Sequence, residues 1–271
     1  VDGLMEEYSK KFMLDYNFPP FSVGECRPIR GPGRREIGHG CLAERSVAPV
    51  LPSAEDFPYT IRVISDILES NGSSSLASVC GATLALMASG VPISNPVAGI
   101  SVGLVRNSED DWVLLTDILG TEDHFGDMDF KVTGTENGIC ACQMDIKIDG
   151  LSYELLEMAL NQAREGRLHI LNEMNKTISA PREDFKPHAP RVVELTIDKS
   201  YIGAVIGPGG KVIQDIQEKT GTVISIEEEG NKGIVSISSP DMHGIAEAKA
   251  RIEEIAFVPE IGDSYDAVVK S

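Results

Sequence analysis

The sequence predicts an α+β fold: a core domain of mixed β-sheet with helices, followed by a small βααββα domain. Three observations support this prediction. Segments with the period-two alternation of strands recur between residues 11 and 148, around one helical segment that starts near residue 73. A long amphipathic helical region covers residues 152–178. After a proline-rich stretch, a second series of short strands and helices begins.

The size and charge of the chain limit the class of function. It has 271 residues, is 42% hydrophobic and carries a formal net charge of −18. It can therefore bury a large core, but it lacks the basic surface of a general polyanion binder, so any nucleic-acid contact should be local. It has no run of about 18 apolar residues and no signal peptide, which argues against a membrane protein. Its start at Val1 instead of Met predicts a fragment or a processed product.

The five cysteines are odd in number and irregularly spaced, which does not indicate a disulfide framework. Cys140 and Cys142 have no second cysteine pair or nearby His, so two small side chains on one face of a buried strand are favoured over a zinc site. Reduced thiols predict a cytoplasmic location or an organelle matrix.

The core domain is assigned to residues 1–180. Residues 11–24 predict a strand broken by a bend, and residues 57–70 predict a second strand. A helix should begin at the serines 73–75 and end at Gly90.

The remaining core elements follow the same patterns. Residues 97–105 and 111–119 predict a strand pair, and residues 138–148 predict a further strand. The helical region 152–178 contains Gly166, which predicts a weak point or a kink.

Three assignments cover the rest of the chain. Residues 181–190 carry three prolines and mixed charge and are assigned as a linker. Residues 191–257 predict the order βααββα, with a Gly-rich loop between the first two helices. Residues 258–271 are assigned to the start of a further, truncated domain.

The Gly-rich loop lies in "VIGPGGKVI", residues 205–213. Glycines let a backbone approach a phosphate closely, and the helix that follows offers free N–H groups. Within the order βααββα this loop resembles the GxxG loop of KH domains, which clamps single-stranded nucleic acid. The alternative is a purely structural helix–loop–helix turn. Pro208 stands where a basic residue is common, so Lys211 must supply most of the local charge, and we expect modest, non-specific binding.

Two further motifs could bind anions. The serine turn Ser73–Ser75 offers hydroxyls and unpaired N–H groups at a helix start, although ordinary N-capping explains it equally well. Arg34 and Arg35 follow a Gly/Pro loop, and guanidinium forks suit phosphate oxygens. Taken alone, the arginines are better explained as solvated partners of Glu36.

The stretch "TEDHFGDMDFK", residues 121–131, could hold a cation. In a strand, Asp127, Asp129 and Lys131 would share one face. Carboxylates are ligands of Mg²⁺, and a lysine beside them could neutralise charge on a transferring phosphoryl group. The alternative is a solvated acidic loop that leads into an edge strand, but like charges so close together are unfavourable unless a cation lies between them.

Five motifs in order, "RREIGHG", "FPYTIRV", "ESNGSSSLASVCGA", "DILGTEDHFGDMDFK" and "VIGPGGKVI", closely resemble the polynucleotide phosphorylase family. The resemblance runs from about Phe12 to Ala256. It implies a second RNase PH-like core domain, a KH domain and the first strand of an OB-type RNA-binding barrel, with the first core domain absent.

The resemblance also implies an activity, 3′-to-5′ phosphorolytic exoribonuclease. Inorganic phosphate would attack the 3′-terminal phosphodiester of single-stranded RNA and release nucleoside 5′-diphosphates, reversibly, in mRNA turnover. The implied assembly is a homotrimer that threads RNA through a positively charged channel. The resemblance also implies membership of an RNA-degradation complex and no association with a membrane. An acidic outer surface is compatible with such a ring.

By matching motif, the resemblance implies phosphate-binding Ser73, Ser74 and Ser75; RNA-binding Arg34, Arg35, Gly207, Gly209, Gly210 and Lys211; catalytic Asp123, Asp129 and Lys131; and Asp123 and Asp129 as ligands of Mg²⁺ or Mn²⁺. His39 and His124 are weaker candidates. Three alternatives stay open: a catalytically silent RNA-binding subunit, a fragment that is inactive without the first core domain, and a hydrolytic nuclease, which would need more carboxylates for two metals.

Overall fold

The computed structural model describes residues 10–108, 111–186 and 189–258, together with residues 262 and 264. The chain forms two compact units, Val1–Asp184 and Phe185–Ser271. Both combine helices with β-sheet, which confirms the predicted α+β class. The finer domain boundaries proposed from the sequence stay a prediction.

The described residues of the first unit form two sheets and four α-helices. Its strands are β1 (Phe12–Asn17), β2 (Ile61–Asp66), β3 (Ala98–Arg106), β4 (Trp112–Thr116), β5 (Met128–Gly134) and β6 (Ile139–Ile146). Its helices are α1 (Arg34–Val47), α2 (Ser74–Ala88), α3 (Gly120–Phe125) and α4 (Tyr153–Thr177). Strands β1 and β2 pair in parallel, whereas the other four form an antiparallel sheet in the order β4-β3-β5-β6.

Strand β5 lies at the centre of this unit and is buried on both faces. Met128, Phe130 and Val132 belong to the apolar cluster that packs against α4. The alternate residues point the other way, where Thr133 donates a hydrogen bond to Ser46 of α1 at 2.8 Å. Asp129 and Lys131 share that second face, so two charged side chains are buried between the sheet and the helices.

Most of the predicted core elements are confirmed. The predicted strand pair is β3 and β4, with Gly103 opposite Leu115. The predicted strand 57–70 is real but shorter, since only β2 within it is extended. The bend after β1 is a 3-10 turn at Pro20–Val23.

Helix α4 is continuous through Gly166, where the sequence predicted a weak point or a kink. A Cβ atom at this glycine would lie 2.5 Å from Cδ1 of Ile100 on β3. The glycine therefore allows the helix to approach the sheet closely. It contributes to packing instead of bending the helix.

The second unit has the predicted order βααββα. Its elements are β7 (Arg191–Asp198), α5 (Lys199–Ile206), α6 (Lys211–Thr220), β8 (Val223–Glu229), β9 (Lys232–Ser239) and α7 (Met242–Ile255). The antiparallel sheet has the order β7-β9-β8. Its core includes the buried residues Val205, Ile216, Val235 and Ile252.

Two further predictions concern the C-terminal residues and membrane-spanning helices. The barrel strand assigned to residues 258–271 lies almost entirely outside the described residues. Within the described residues, no helix has both the length and the apolar character needed to cross a membrane.

Candidate active site and nucleic-acid loop

A cavity of about 1050 Å³ opens in the first unit where the segment after β1, α1, the start of α2, α3, β5 and β6 meet. It is lined by most of the residues that the sequence singled out: Arg35, Ser73, Ser74, Asp123, Asp129 and Lys131, together with His39 and His124. Arg34 and Ser75 are not among the lining residues. Motifs as far apart in sequence as Arg35 and Lys131 thus contribute to one cavity.

The serine turn is held in an unusual backbone conformation. Ser73 has φ +48°, in the left-handed region, and its side chain does not cap helix α2. Instead, its Oγ lies 2.7 Å from Oγ of Ser101 on β3. Gly72 has φ +114°, and a Cβ there would lie 2.5 Å from the carbonyl oxygen of Ile118. Because the Ser73 side chain does not cap the helix, and Leu76 N–H donates to the Ser73 carbonyl, the N–H groups of Ser74 and Ser75 are the ones left for an anion.

The three serines have different environments. Ser74 lines the cavity, and its Oγ lies 2.7 Å from Oη of Tyr16 on β1. Ser75 is fully buried, and its Oγ has no hydrogen-bond partner in the part of the chain that the structure describes. The Ser75 side chain therefore does not join the cavity, although its N–H group lies in the first turn of α2.

The two arginines diverge because successive helical residues point about 100° apart. Arg35 lines the cavity, with its guanidinium carbon 4.6 Å from the centre of the Phe18 ring, in a cation–π contact. Arg34 is exposed at the start of α1 and does not line the cavity. The structure thus brings one arginine of the predicted pair to the site.

The charged pair on β5 is buried. Asp129 is 4% exposed and Lys131 is 9% exposed, and Oδ2 of Asp129 lies 2.6 Å from Nζ of Lys131. Burial raises the pKa of the Asp129 carboxyl, an effect that the Lys131 hydrogen bond and charge oppose. Asp123 and Asp145 raise this pKa further.

Asp127, which the sequence placed on the same face, precedes β5 and takes another role. Its Oδ2 accepts a hydrogen bond from the backbone N–H of Arg106 at 2.7 Å. Asp127 does not line the cavity.

The second candidate carboxylate, Asp123, lies on the short helix α3 and is half-buried. Lys147, directly after β6, donates hydrogen bonds to the backbone carbonyls of Asp123 and His124, and its Nζ is 4.0 Å from Oδ1 of Asp123. These contacts hold α3 over the cavity. Phe125 is 80% exposed and stacks edge-on with His124.

The carboxylate oxygens at and near Asp129 suit a divalent cation. Among the described residues, Oδ1 of Asp129 is buried and has no hydrogen-bond partner, while Oδ2 bonds Lys131. Asp123 brings a second carboxylate to the same cavity. Magnesium commonly takes one or two protein carboxylates and completes its shell with water and phosphate oxygens. The described residues contain no cluster of three or more His, Cys, Asp or Glu side chains arranged for a metal, so the cation bound by Asp123 and Asp129 stays a prediction.

Sequence reasoning missed three residues that line or support the cavity: Tyr16, Asp145 and Lys147. Asp145 lies on β6 directly opposite Asp129 of β5, so the two carboxylates share a face. The alternation in "DIKID", residues 145–149, repeats the spacing of the β5 motif and was the available signal. Nothing in the local sequence around Tyr16 signals its contact with Ser74.

His39 was a weaker candidate, and it lines the cavity. Its pKa is lowered to about 4, first by burial and then by the charges of Lys131 and Arg35. Its ring is therefore neutral at neutral pH, so it can be both a hydrogen-bond donor and an acceptor.

The Gly-rich loop in the second unit joins α5 to α6. Gly207, Gly209 and Gly210 all have positive φ, at +71°, +62° and +77°. Space around a Cβ at Gly209 is open, whereas a Cβ at Gly207 would lie 2.3 Å from a methyl of Val212. Lys211 begins α6 and is exposed. The loop thus requires glycine for its conformation and presents a bare backbone beside a helix N-terminus.

Comparison with known proteins agrees with both units. Residues 3–92 match the 3′ exoribonuclease family, domain 1 (RNase PH), and residues 192–254 match the KH domain. The chain is also similar over its whole length to proteins named polyribonucleotide nucleotidyltransferase. These include proteins from Rhodopirellula baltica (64% identical), Cytophaga hutchinsonii (58%) and Bacteroides fragilis (57%). The chain spans 36%, 38% and 38% of the length of these relatives, a little over a third.

Proposed function

Since this chain is homologous over its whole length to polyribonucleotide nucleotidyltransferases, we propose that it degrades single-stranded RNA from the 3′ end by phosphorolysis. Inorganic phosphate attacks the 3′-terminal phosphodiester and releases a nucleoside 5′-diphosphate, and the reverse reaction adds nucleotides. The observation that carries the proposal is the joining of an anion-binding turn and a buried Asp–Lys pair in one cavity.

Each part of the cavity has a role in this reaction. Ser74 and the free N–H groups at the start of α2 hold the attacking phosphate. Arg35 binds a phosphate of the RNA 3′ end. The ammonium of Lys131 stabilises the charge that builds on the oxygens of the transferring phosphoryl group, in a buried site where such a charge acts strongly.

This reaction needs no covalent intermediate between the RNA and the protein. The new bond joins an oxygen of inorganic phosphate to the terminal phosphorus, and the bond to the 3′ oxygen of the preceding nucleotide breaks. Positioning and electrostatic stabilisation supply most of the catalysis in phosphoryl transfer. When bound by Asp123 and Asp129, Mg²⁺ or Mn²⁺ supplies Lewis-acid stabilisation of phosphate oxygens.

The proposal extends to assembly and partners. RNA is shortened and nucleoside diphosphates are released at the first unit. The KH unit holds single-stranded RNA through its Gly-rich loop. We place the protein in the cytoplasm as a homotrimer that takes part in mRNA degradation, within an RNA-degradation complex. Its oligomeric state can be measured by sedimentation equilibrium.

The direct test is diphosphate release from a poly(A) oligomer with Mg²⁺, with and without inorganic phosphate. We expect nucleoside diphosphates only when phosphate is present, and the reverse reaction from nucleoside diphosphates alone. Nucleoside monophosphates released without phosphate would indicate a hydrolytic nuclease. An RNA-binding protein that yields neither product would indicate a silent subunit, unless addition of the first core domain of a relative restores diphosphate release.

The KH loop gives a separate prediction. Replacing Gly209 and Gly210 together by Asp should weaken binding of long RNA by about tenfold or more, because two negative charges and strained backbone replace the phosphate-facing glycines. Phosphorolysis of short oligonucleotides should be spared. The measurement is RNA affinity by fluorescence anisotropy beside the diphosphate assay.

The matched control for this variant replaces Gly221 and Gly230 by Asp. These glycines also have positive φ and open space around a Cβ, but they lie outside the Gly-rich loop. Equal losses of RNA affinity in the two double variants would contradict a specific role for the loop.

A further inference from the structure

Tyr16 is a buried, titratable residue that the proposed chemistry does not use. It is 4% exposed, and its hydroxyl makes two hydrogen bonds. Oη lies 2.7 Å from Oγ of Ser74 and 3.2 Å from Nδ1 of His39. Three elements thus meet at one oxygen: β1 supplies Tyr16, α1 supplies His39 and α2 supplies Ser74.

The position of the Tyr16 ring is fixed by packing. It stacks on Phe18 at 6.2 Å and meets the His39 ring edge-on at 5.3 Å between centroids. On its inner side, a Cβ at Gly40 would lie 3.4 Å from Cβ of Tyr16. The hydroxyl therefore cannot swing away from its two partners without disturbing the contact between β1 and α1.

Counting protons along the chain His39–Tyr16–Ser74 leaves two arrangements. A hydroxyl has one proton to donate, so Tyr16 donates to one neighbour and accepts from the other. Either His39 donates to Tyr16 and Tyr16 donates to Ser74, or Ser74 donates to Tyr16 and Tyr16 donates to His39. A neutral imidazole carries one N–H, so the tautomer of His39 decides between them.

The two arrangements differ in what Ser74 offers to the cavity. In the described part of the chain, Tyr16 is the hydrogen-bond partner of Ser74 Oγ. If Ser74 donates to Tyr16, its oxygen presents lone pairs to an anion, which is unfavourable. If Ser74 accepts from Tyr16, its own proton is free to be donated to the anion.

We propose that Tyr16 and His39 are positioning residues for the phosphate: His39 donates from Nδ1 to Tyr16, Tyr16 donates to Ser74, and Ser74 donates to the phosphate. This inference rests on the proposed function, because it takes phosphate to be the anion at Ser74. Phosphate binding and the Nδ1–H tautomer of His39 then favour each other by linkage. The same tautomer leaves Nε2 of His39 as an acceptor beside the charge of Lys131.

The kinetic test is Tyr16→Phe, which removes Oη and keeps the ring. We expect the KM for phosphate to rise about 5- to 10-fold, the value of one hydrogen bond, while the KM for RNA changes less than 2-fold. His39→Gln should raise the phosphate KM in the wild-type background but add little to Tyr16→Phe, because the chain is already broken. Tyr153→Phe, at a 92% exposed tyrosine, is the control. Fully additive effects of the two variants would overturn the proposal.

A second test does not depend on catalysis. Long-range ¹H–¹⁵N NMR of the imidazole nitrogens, assigned with His39→Gln, reports which nitrogen of His39 carries the proton. Titration with inorganic phosphate alone should populate the Nδ1–H form in the wild type but not in Tyr16→Phe. An Nε2–H form at saturating phosphate would overturn the proposal.

The two tests separate this inference from the proposed function. A phosphate-driven change of tautomer in a protein that releases no diphosphates would leave the inference standing and contradict phosphorolysis. Normal phosphorolysis with no response of His39 to phosphate would support the proposed function and contradict this inference.

Discussion

Replacing Asp129 by Asn should abolish RNA phosphorolysis and leave RNA binding largely intact. Among the described residues, Oδ1 of Asp129 is buried without a hydrogen-bond partner and Oδ2 bonds Lys131, so in the proposed reaction this carboxylate would bind the cation and orient the ammonium. If the loss of cation binding removes about 4 kcal/mol of transition-state stabilisation, the rate falls about 10³-fold. The measurement is kcat for diphosphate release beside RNA affinity and Mn²⁺ binding by electron paramagnetic resonance.

Asp127→Asn is the matched control for this prediction. Asp127 lies two residues earlier in the sequence, but it accepts a hydrogen bond from the Arg106 N–H and does not line the cavity. An amide oxygen at this position can accept the same bond, so activity should stay within about 2-fold of the wild type. A fully active Asp129→Asn variant, or one that still binds Mn²⁺ with wild-type affinity, would remove Asp129 from the cation site.

The sequence was sufficient for the parts of the site that depend on local periodicity. Period-two spacing put Asp129 and Lys131 on one strand face, and they are adjacent in the structure. The order βααββα and the Gly-rich loop likewise follow from local signals, since the loop glycines all need positive φ.

The sequence was insufficient where a boundary or a distant partner decides the outcome. Asp127 does not lie on the predicted strand face, because β5 begins at Met128. The hydrophobic pattern of a sequence predicts the ends of an element poorly. Asp145 joins the site through its cross-strand position opposite Asp129, which pairing register sets and composition does not. Tyr16 joins it through a contact with Ser74, fifty-eight residues away in sequence.

The serine turn also shows what residue spacing alone does not predict. Three serines were equivalent on spacing, yet one bonds Ser101, one lines the cavity and bonds Tyr16, and one is fully buried. Ser73 precedes α2 in a left-handed conformation, whereas Ser74 and Ser75 lie in the helix, where successive residues point about 100° apart. The left-handed conformation is uncommon for a residue other than glycine, and it persists where the surroundings hold it in place.

Replacing Lys131 by Met should lower kcat for phosphorolysis about 10²- to 10³-fold, the usual cost of losing one charge-stabilising group in a closed site. Methionine matches the length of the stem and keeps the packing of β5, so RNA affinity should change only a few-fold. Lys176→Met is the control, because Lys176 pairs with Glu173 on the exposed face of α4. A loss confined to RNA affinity, with kcat preserved, would contradict a role in the transition state.

Both variants break a buried ion pair, which can cost about 3–5 kcal/mol of folding stability, so loss of fold must be separated from loss of chemistry. The double variant Asp129→Asn with Lys131→Met removes both charges and leaves no unpaired ion. Its free energy of unfolding, from urea denaturation, should therefore lie closer to the wild type than that of Lys131→Met alone. Its activity should remain as low as that of either single variant. Recovery of activity together with stability would mean that the pair serves the fold, and that the chemistry depends on other groups in the cavity.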